Sequence, residues 1–242
     1  MSSNTIIYYN DLVPDCTLTT SGETATYEKE YAQDWTPQNI WQGDAAASTL
    51  SMNYAAAVKQ EAIWVGGTNF TSAMTTFKYG EGAAAAANTY EVNLDKEASA
   101  FSELNSTPAY RYGKLTTTVA AGLPEVGKVY VAGSKFILDK DIRRGYTGGT
   151  MSEFITNKGR YGQVHREIQY SKVIYSFDMI GINDAQKEIL DETIRKEENV
   201  IFWDGELQKA FFGVVNFSQP KFIRSNMYGA IWQMSGTFEE AK

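Results

Sequence analysis

One cysteine and one histidine in 242 residues set the first limits on this chain. Cys16 has no second cysteine to pair with, so no intrachain disulfide staples the fold. Cys16 and His165 together are too few for a structural zinc cluster of Cys and His ligands within one chain. Positive charge is also short: 22 Lys and Arg stand against 29 Asp and Glu, a formal net charge of −7. That balance excludes a general nucleic-acid binder, which needs clustered Lys and Arg to meet phosphates. No uncharged apolar run approaches the ~20 residues that cross a bilayer as a helix, so no membrane partner is expected. Met1-Ser2-Ser3-Asn4 shows no basic segment followed by an apolar one, and no secretory leader is expected. A chain without disulfides or leader is expected to be made and folded in a cytoplasm. The sequons at Asn69-Phe70-Thr71, Asn105-Ser106-Thr107 and Asn216-Phe217-Ser218 then read as chance.

What is present describes an ordinary folded protein. Hydrophobic residues make up 43% and charged residues 21%, enough apolar surface for a real core. The length accommodates one large domain or two of roughly 100–150 residues. Aromatics are generous, with 15 Tyr, 12 Phe and 5 Trp, which suits packed β-sandwiches and interfaces alike. The densest basic stretch, 135–144, is interleaved with Asp139 and Asp141 and reads as a solvated turn.

Along the chain, Thr5-Ile6-Ile7-Tyr8-Tyr9 reads as a short strand closed by Asn10-Asp11 and Pro14. From there to about Ala57 the Thr, Ser, Ala, Asn and Gly content, broken by Trp35, Pro37, Ile40 and Trp41, predicts long loops pinned by buried aromatics. Strands are predicted at 61–65, 74–79, 89–94, 110–119 and 126–131, separated by Gly-rich or small-residue turns. The run Glu81-Gly82-Ala83-Ala84-Ala85-Ala86-Ala87-Asn88 is too short for a stable helix and predicts a hairpin tip.

The second half has a different texture. Val173, Tyr175, Phe177 and Met179 share one face of a strand, with Lys172, Ser176 and Asp178 opposite. A helix is predicted over 183–198, with Asn183 as N-cap, Gln186 at the capping-box position and Asp184 in the first turn. Its buried stripe is expected to be Ala185, Ile189, Leu190 and Ile194. Strands at 200–203, 209–215, 221–224 and 227–238 follow. Tyr228, Ala230, Trp232, Met234 and Phe238 share one side of the last. The stretch 210–215 is apolar on both faces, as in a covered central strand or one whose second face meets a neighbouring subunit. The Gly-rich span 145–162 is the expected long excursion.

Chemistry-bearing residues do not converge on a site. His165 lies in a strand-like stretch, and no Gly-x-Ser-x-Gly elbow occurs. Cys16 follows Pro14-Asp15 with no basic neighbour and reads as an inert thiol. Asp204-Gly205-Glu206 offers a carboxylate pair for glycoside hydrolysis, but a strand-to-strand turn explains the same residues. Gly80-Glu81-Gly82 and Gly145-Tyr146-Thr147-Gly148-Gly149-Thr150 lack the Lys and the helix of a phosphate loop. Asp11, Asp15, Asp139 and Asp141 show no EF-hand spacing. No catalytic, cofactor-binding or metal residue is assigned, no cofactor is expected, and the chain reads as no enzyme.

Four segments carry a resemblance. They are Tyr8-Tyr9-Asn10-Asp11-Leu12, the corner Ile63-Trp64-Val65-Gly66-Gly67-Thr68-Asn69-Phe70-Thr71-Ser72, then Tyr112-Gly113-Lys114-Leu115, and Val126-Gly127-Lys128-Val129-Tyr130-Val131-Ala132-Gly133. Together they resemble the discoidin-like (galactose-binding-like) modules of tailed-bacteriophage structural proteins. The resemblance implies a mainly β chain: a discoidin-like jelly-roll β-sandwich over 1–139, then a smaller α+β domain of tail-tube type over 140–242. The domain order is the reverse of that usual in distal tail proteins.

The leading expectation is therefore a non-enzymatic virion structural protein of a tailed phage, in the distal tail and baseplate region or the neck. Its expected partners are itself, in a homo-oligomeric ring (hexameric or a multiple of three), and neighbouring tail or neck proteins, with a glycan as a further partner. The alternative is a carbohydrate-binding adhesin, with Trp35, Trp41 or Trp64 stacking on a sugar.

Overall fold

The computed structural model describes residues 5–24, 27–33, 39–69, 74–81, 90–94, 99–104, 109–119, 122–138, 143–158, 164–197, 199–226 and 229–241. It divides into two compact units, Tyr8–Lys135 and a second made of Met1–Ile7 with Phe136–Lys242. The chain is mainly β. In the first unit the strands are β1 (Thr5–Asp11, entered from the second unit), β2 (Thr17–Thr20), β3 (Trp41–Gln42), β4 (Ala47–Val58) and β5 (Ala62–Gly66). They continue with β6 (Met74–Gly80), β7 (Tyr90–Leu94), β8 (Ser99–Glu103), β9 (Tyr110–Thr118), β10 (Glu125–Val126) and β11 (Lys128–Leu138).

This unit is a β-sandwich. One sheet runs β2-β4-β9-β6-β7, the other places β1, β11, β5 and β8 side by side, and β3 pairs with β10. Period-two patterning builds it: Leu50, Met52 and Tyr54 of β4 point inward between Thr49, Ser51 and Asn53. Phe77 and Tyr79 of β6 and Leu115 of β9 join them in a single buried cluster with Ile63, Val65, Val129 and Val131 of the opposing sheet. Burying a side chain of this size is worth about 1.5–3 kcal/mol, so this apolar layer is the main force holding the sheets face to face.

The Gly-Gly corner after β5 is built by close approach. Gly67 has φ +64, a conformation that favours glycine. The Gly127 amide donates to the carbonyls of Gly66 and Gly67 at 3.0 and 3.2 Å. Asn69 locks the far side, its Nδ2 donating to the Leu123 carbonyl (2.8 Å) and its Oδ1 accepting from the Glu125 amide (3.0 Å).

The second unit contains β12 (Arg143–Lys158), β13 (Val164–Ile182), β14 (Val200–Asp204), β15 (Lys209–Phe217), β16 (Lys221–Asn226) and β17 (Gly229–Glu240). Its sheet runs β12-β13-β17-β15-β14, with β16 also on β17. Of the expected excursion over 145–162, the described residues to Lys158 belong to β12, which pairs antiparallel with β13 from Arg143 opposite Met179 to Lys158 opposite Val164, with register shifts between Arg144 and Thr147 and between Glu153 and Phe154. The predicted face of β13 holds: Tyr175, Phe177 and Met179 are buried. They share a face with Phe238 and Met234 of β17, and Phe202 stacks on both Tyr175 and Phe238. β15 lies between β14 and β17 in the sheet, with Phe212, Gly213 and Val215 buried and Ala210, Phe211 and Val214 half-buried.

The helix begins as the sequence predicts. Asn183 Oδ1 accepts from the Gln186 amide (2.9 Å), and the Gln186 side chain accepts from the Asn183 amide (3.0 Å). α1 (Asp184–Glu188) passes into a π turn (Ile189–Thr193) and a 3-10 turn (Ile194–Lys196). Leu190 and Ile194 are buried and Ile189 partly so. Ala185 is exposed; the first turn meets β17 through Asp184 and Lys187 instead.

Three expectations need correction. The stretch to Ala57 is not mainly loop: β2, β3 and the 12-residue β4 lie within it. Its Ala, Ser and Asn content lowers strand propensity, yet the alternation of Leu50, Met52 and Tyr54 outweighs it by delivering one face to the core. Residues 99–103, unassigned from sequence, form β8. The basic stretch 135–144 is not simply a turn, since Lys135 belongs to β11 and Arg143 opens β12; Asp139 and Asp141 lie outside the described residues. The alanine run 82–88 also lies outside them.

Candidate functional site

The residues singled out from sequence do not come together. Trp41 is fully buried in the sandwich core, and Trp64 is 5% exposed with its ring folded over Gly66. Neither offers a face for a sugar to stack on. Trp35 lies outside the described residues. Asp204 is buried, and its Oδ1 accepts from the amides of Glu206 (2.9 Å) and Leu207 (3.1 Å), the work of a turn residue. Glu206 is exposed. His165 stands opposite Asn157 in the β12–β13 hairpin. Gly145–Thr150 is strand, not loop. Among the described residues no three His, Cys, Asp or Glu are grouped so as to hold a metal ion, and no helix is long and apolar enough to cross a membrane.

Asp11 and Cys16 have structural surroundings. Lys128 Nζ lies 2.8 Å from Asp11 Oδ2 and also donates to the Gln33 carbonyl. Gln33 Nε2 in turn donates to the carbonyls of Val13 (2.8 Å) and Cys16 (3.2 Å). Burial holds the Asp11 carboxyl above its ordinary range against the opposing pull of Lys128. The buried Cys16 thiol is pushed up to about 12, by burial first and then by Asp11. Both groups tie the segment after β1 to the sandwich.

A different surface gathers polar side chains: the outer face of the β2-β4-β9-β6-β7 sheet. Since Leu115, Phe77, Leu50 and Met52 point inward, their neighbours along each strand point out. Antiparallel register aligns them in rows. Thr19 meets Ser51 and Ser51 meets Lys114, which meets Lys78; in the next row Thr49 meets Thr116, which meets Thr76. Threonine on a solvated strand face follows from strand propensity alone.

Propensity does not account for the end of the face nearest the β4 bulge. There Asn53 Oδ1 accepts from both the Ala55 amide and Arg111 Nε, each at 3.0 Å. The first bond supports Ala55 at φ +61, within the register shift between Asn53 and Val58. The second fixes the guanidinium, whose Cζ lies 5.3 Å from the centroid of the Tyr112 ring. Asn53 and Tyr112 are register partners, so the cluster joins adjacent strands.

Charge sets this sheet apart. Its five strands hold three basic residues, Lys78, Arg111 and Lys114, and one acid, Glu91. That balance is positive in a chain of net charge −7. Lys78 stands directly opposite Lys114 on one side and Glu91 on the other. Sequence reasoning passed over this group because it comes from three separate strands. A count of charge strand by strand would have flagged it.

The second unit carries a different surface. Phe222 and Ile223 of β16 are 51% and 42% exposed. Phe222 meets the Trp232 ring edge-on at 5.4 Å, and Lys187 Nζ lies 4.9 Å from that ring's centroid. Trp232 Nε1 donates to Asp184 at 2.8 Å.

The geometry defines a class, a mainly β chain with a two-sheet sandwich unit and a second unit of sheet and helix. No protein-family model matches the chain, and no curated protein does. Solved structures similar to it include chitosan-binding module 1 of a chitosanase/glucanase from Paenibacillus sp. IK-5, at 14% identity and TM-score 0.40. That match covers 52% of this chain and 100% of that one. A Streptococcus pneumoniae fucose binding module, SpX-3, matches at 9% identity and TM-score 0.43, over 52% of this chain and 99% of that one. The family 32 CBM from C. perfringens NanJ, in complex with galactose, matches at 15% identity and TM-score 0.42, over 52% and 98%.

Proposed function

We propose that the chain is a non-enzymatic recognition protein whose sandwich unit binds a glycan on the outer face of the β2-β4-β9-β6-β7 sheet. The supporting observation is the Asn53–Arg111–Tyr112 cluster, a donor group held in place beside rows of Thr and Ser hydroxyls. Sugars present many donors and acceptors at close spacing. A surface of hydroxyls and amides can match both, and a pre-fixed arginine loses less entropy on binding than a free one. Of the tryptophans that the adhesin alternative offered for stacking, Trp41 and Trp64 are buried, and Trp35 lies outside the described residues. A glycan array probed with the whole chain tests the reading. Binding to some glycans, weakened by Asn53→Ala, supports it; no binding to any glycan on the array overturns it.

A second reading keeps the leading expectation from sequence: a virion structural protein of a tailed phage that assembles as a ring. What favours it is the exposed Phe222–Ile223 pair on β16, apolar surface of the kind that interfaces cover. Light scattering across a concentration series tests it, together with quantitation of the protein in purified particles. A strict monomer that is absent from particles would rule the ring out.

A further inference from the structure

We propose that copies of this chain join head to tail, with the Phe222–Ile223 patch of one seated on an acidic patch around Tyr27 of the next. This deepens the ring reading and rests on it. In the register of β16 on β17, Phe222 stands opposite Trp232 and Arg224 opposite Ile231, so Ile223 is the extra residue of a bulge. The bulge sets two exposed apolar side chains next to each other at one rung of the sheet. Trp232, itself half-buried, meets Phe222 edge-on and gives the pair a firm base. A bulged edge strand resists the addition of a further strand, so the contact this patch offers is one of side chains.

Charge names the occupant. Lys221 precedes the apolar pair and Arg224 follows it, and neither β16 nor β17 holds an acid before Glu239. At the Trp232 ring, Lys187 and Asp184 offset each other. Two such patches placed face to face would bring like charges together, so the patch does not complement itself. The other exposed large apolar side chains among the described residues are Tyr27, Ile137 and Leu207. Ile137 and Leu207 each stand between one base and one acid of the sequence, Lys135 and Asp139 for the first, Lys209 and Glu206 for the second. Tyr27 has Glu23, Glu28 and Glu30 about it in sequence, with Lys29 alone in answer and already paired with Glu23 and Glu30. Glu28 and Glu30 are exposed, and most of the chain's acid excess lies in the same unit. An exposed aromatic among carboxylates and an apolar pair flanked by cations match in both character and charge. A contact between two different patches is heterologous, and it closes into a ring when the rotation from copy to copy allows.

The test uses the whole chain and two variants, Phe222→Asp and Tyr27→Asp, in sedimentation velocity across a concentration series. The native chain is expected to self-associate, and less so as salt rises. Each variant alone should need a concentration about tenfold higher or more to associate as far. Mixed one to one, the two should form a dimer and nothing larger, because each supplies the patch that the other lacks. Both side chains are exposed, so melting temperatures should stay near the native value. Lys221→Glu is a second probe of the contact: it should weaken association about fivefold, and Glu28→Lys in the same chain should recover it. Native-like association of Tyr27→Asp overturns the proposal and leaves the ring reading standing. A mixture that stays monomeric, or a double variant that recovers nothing, does the same. A native chain that is monomeric at every concentration overturns both.

Discussion

Lys128 and Asp11 form an ion pair at 2.8 Å with both side chains largely withdrawn from solvent. The pair joins the end of β1 to β11, and the Val13 amide (3.0 Å) and the Val131 amide (3.4 Å) also donate to Asp11. Removing one partner of a buried pair leaves an uncompensated charge, at a cost of about 3–5 kcal/mol. Lys128→Met is therefore expected to destabilise the fold by that order in urea denaturation, and Asp11→Asn in the same background should recover a large part. Burial already raises the Asp11 pKa, so protonation favours the fold there. This site's contribution is greatest at acid pH and falls as pH rises through the carboxyl's folded pKa.

Glu61 has the opposite sign. Burial tends to raise its pKa, but hydrogen bonds and charge from Lys59 and Lys135 outweigh it and hold the carboxyl below its usual range. Lys135 Nζ lies 2.9 Å from Glu61 Oε2. A depressed folded pKa gives stability that is present above the unfolded value and lost as pH falls through the folded one. Urea midpoints taken from pH 7 down to pH 3 should fall for the native chain and fall less for Glu61→Gln. Parallel curves would show that Glu61 is not the linked group.

Gly66 sits beneath the ring of Trp64: a Cβ there would come 2.0 Å from the ring carbon Cη2. The indole is wedged in a packed core and cannot swing aside cheaply, so Gly66→Ala should cost about 1–3 kcal/mol. At Gly67 the φ of +64 adds a backbone penalty of about 1 kcal/mol for any Cβ-bearing residue. Thermal melts of both alanine variants read these costs. A neutral Gly66→Ala would mean that the corner is looser than drawn.

Asn183→Ala removes the side-chain half of a reciprocal cap. The expected loss is ~1 kcal/mol, confined to the second unit and measurable as faster amide exchange over 184–196. Asn183→Ser should restore most of the protection.

Cys16 is buried, and its thiol is pushed up to about 12. The thiolate is the reactive form, so the native protein is expected to resist a disulfide-exchange reagent at pH 8 for hours. The same reagent should titrate one thiol per chain at once in guanidinium. Rapid labelling of the folded chain would show that the segment after β1 opens readily.

Local pattern by itself determined much of this chain. The alternation of Val173, Tyr175, Phe177 and Met179, the reciprocal signals of Asn183 and Gln186, and the Asp-Gly turn at Asp204 each depend on a few neighbouring residues. Near-neighbour physics settles such features. The Gly66–Gly67 corner was legible for the same reason. β4 was missed because Ala, Ser and Asn are weak strand formers, and only a core to receive Leu50, Met52 and Tyr54 makes the strand worthwhile. The candidate site was not legible at all. Asn53, Lys78, Arg111 and Lys114 are scattered over three strands, and strand register alone sets them on one face. Trp41 is buried, as the reading of buried aromatics pinning this stretch expects, while Trp64 was a stacking candidate only under the adhesin alternative, because sequence shows an aromatic without its surroundings. Their burial is decided by which sheet packs over them, a long-range outcome that no local window contains.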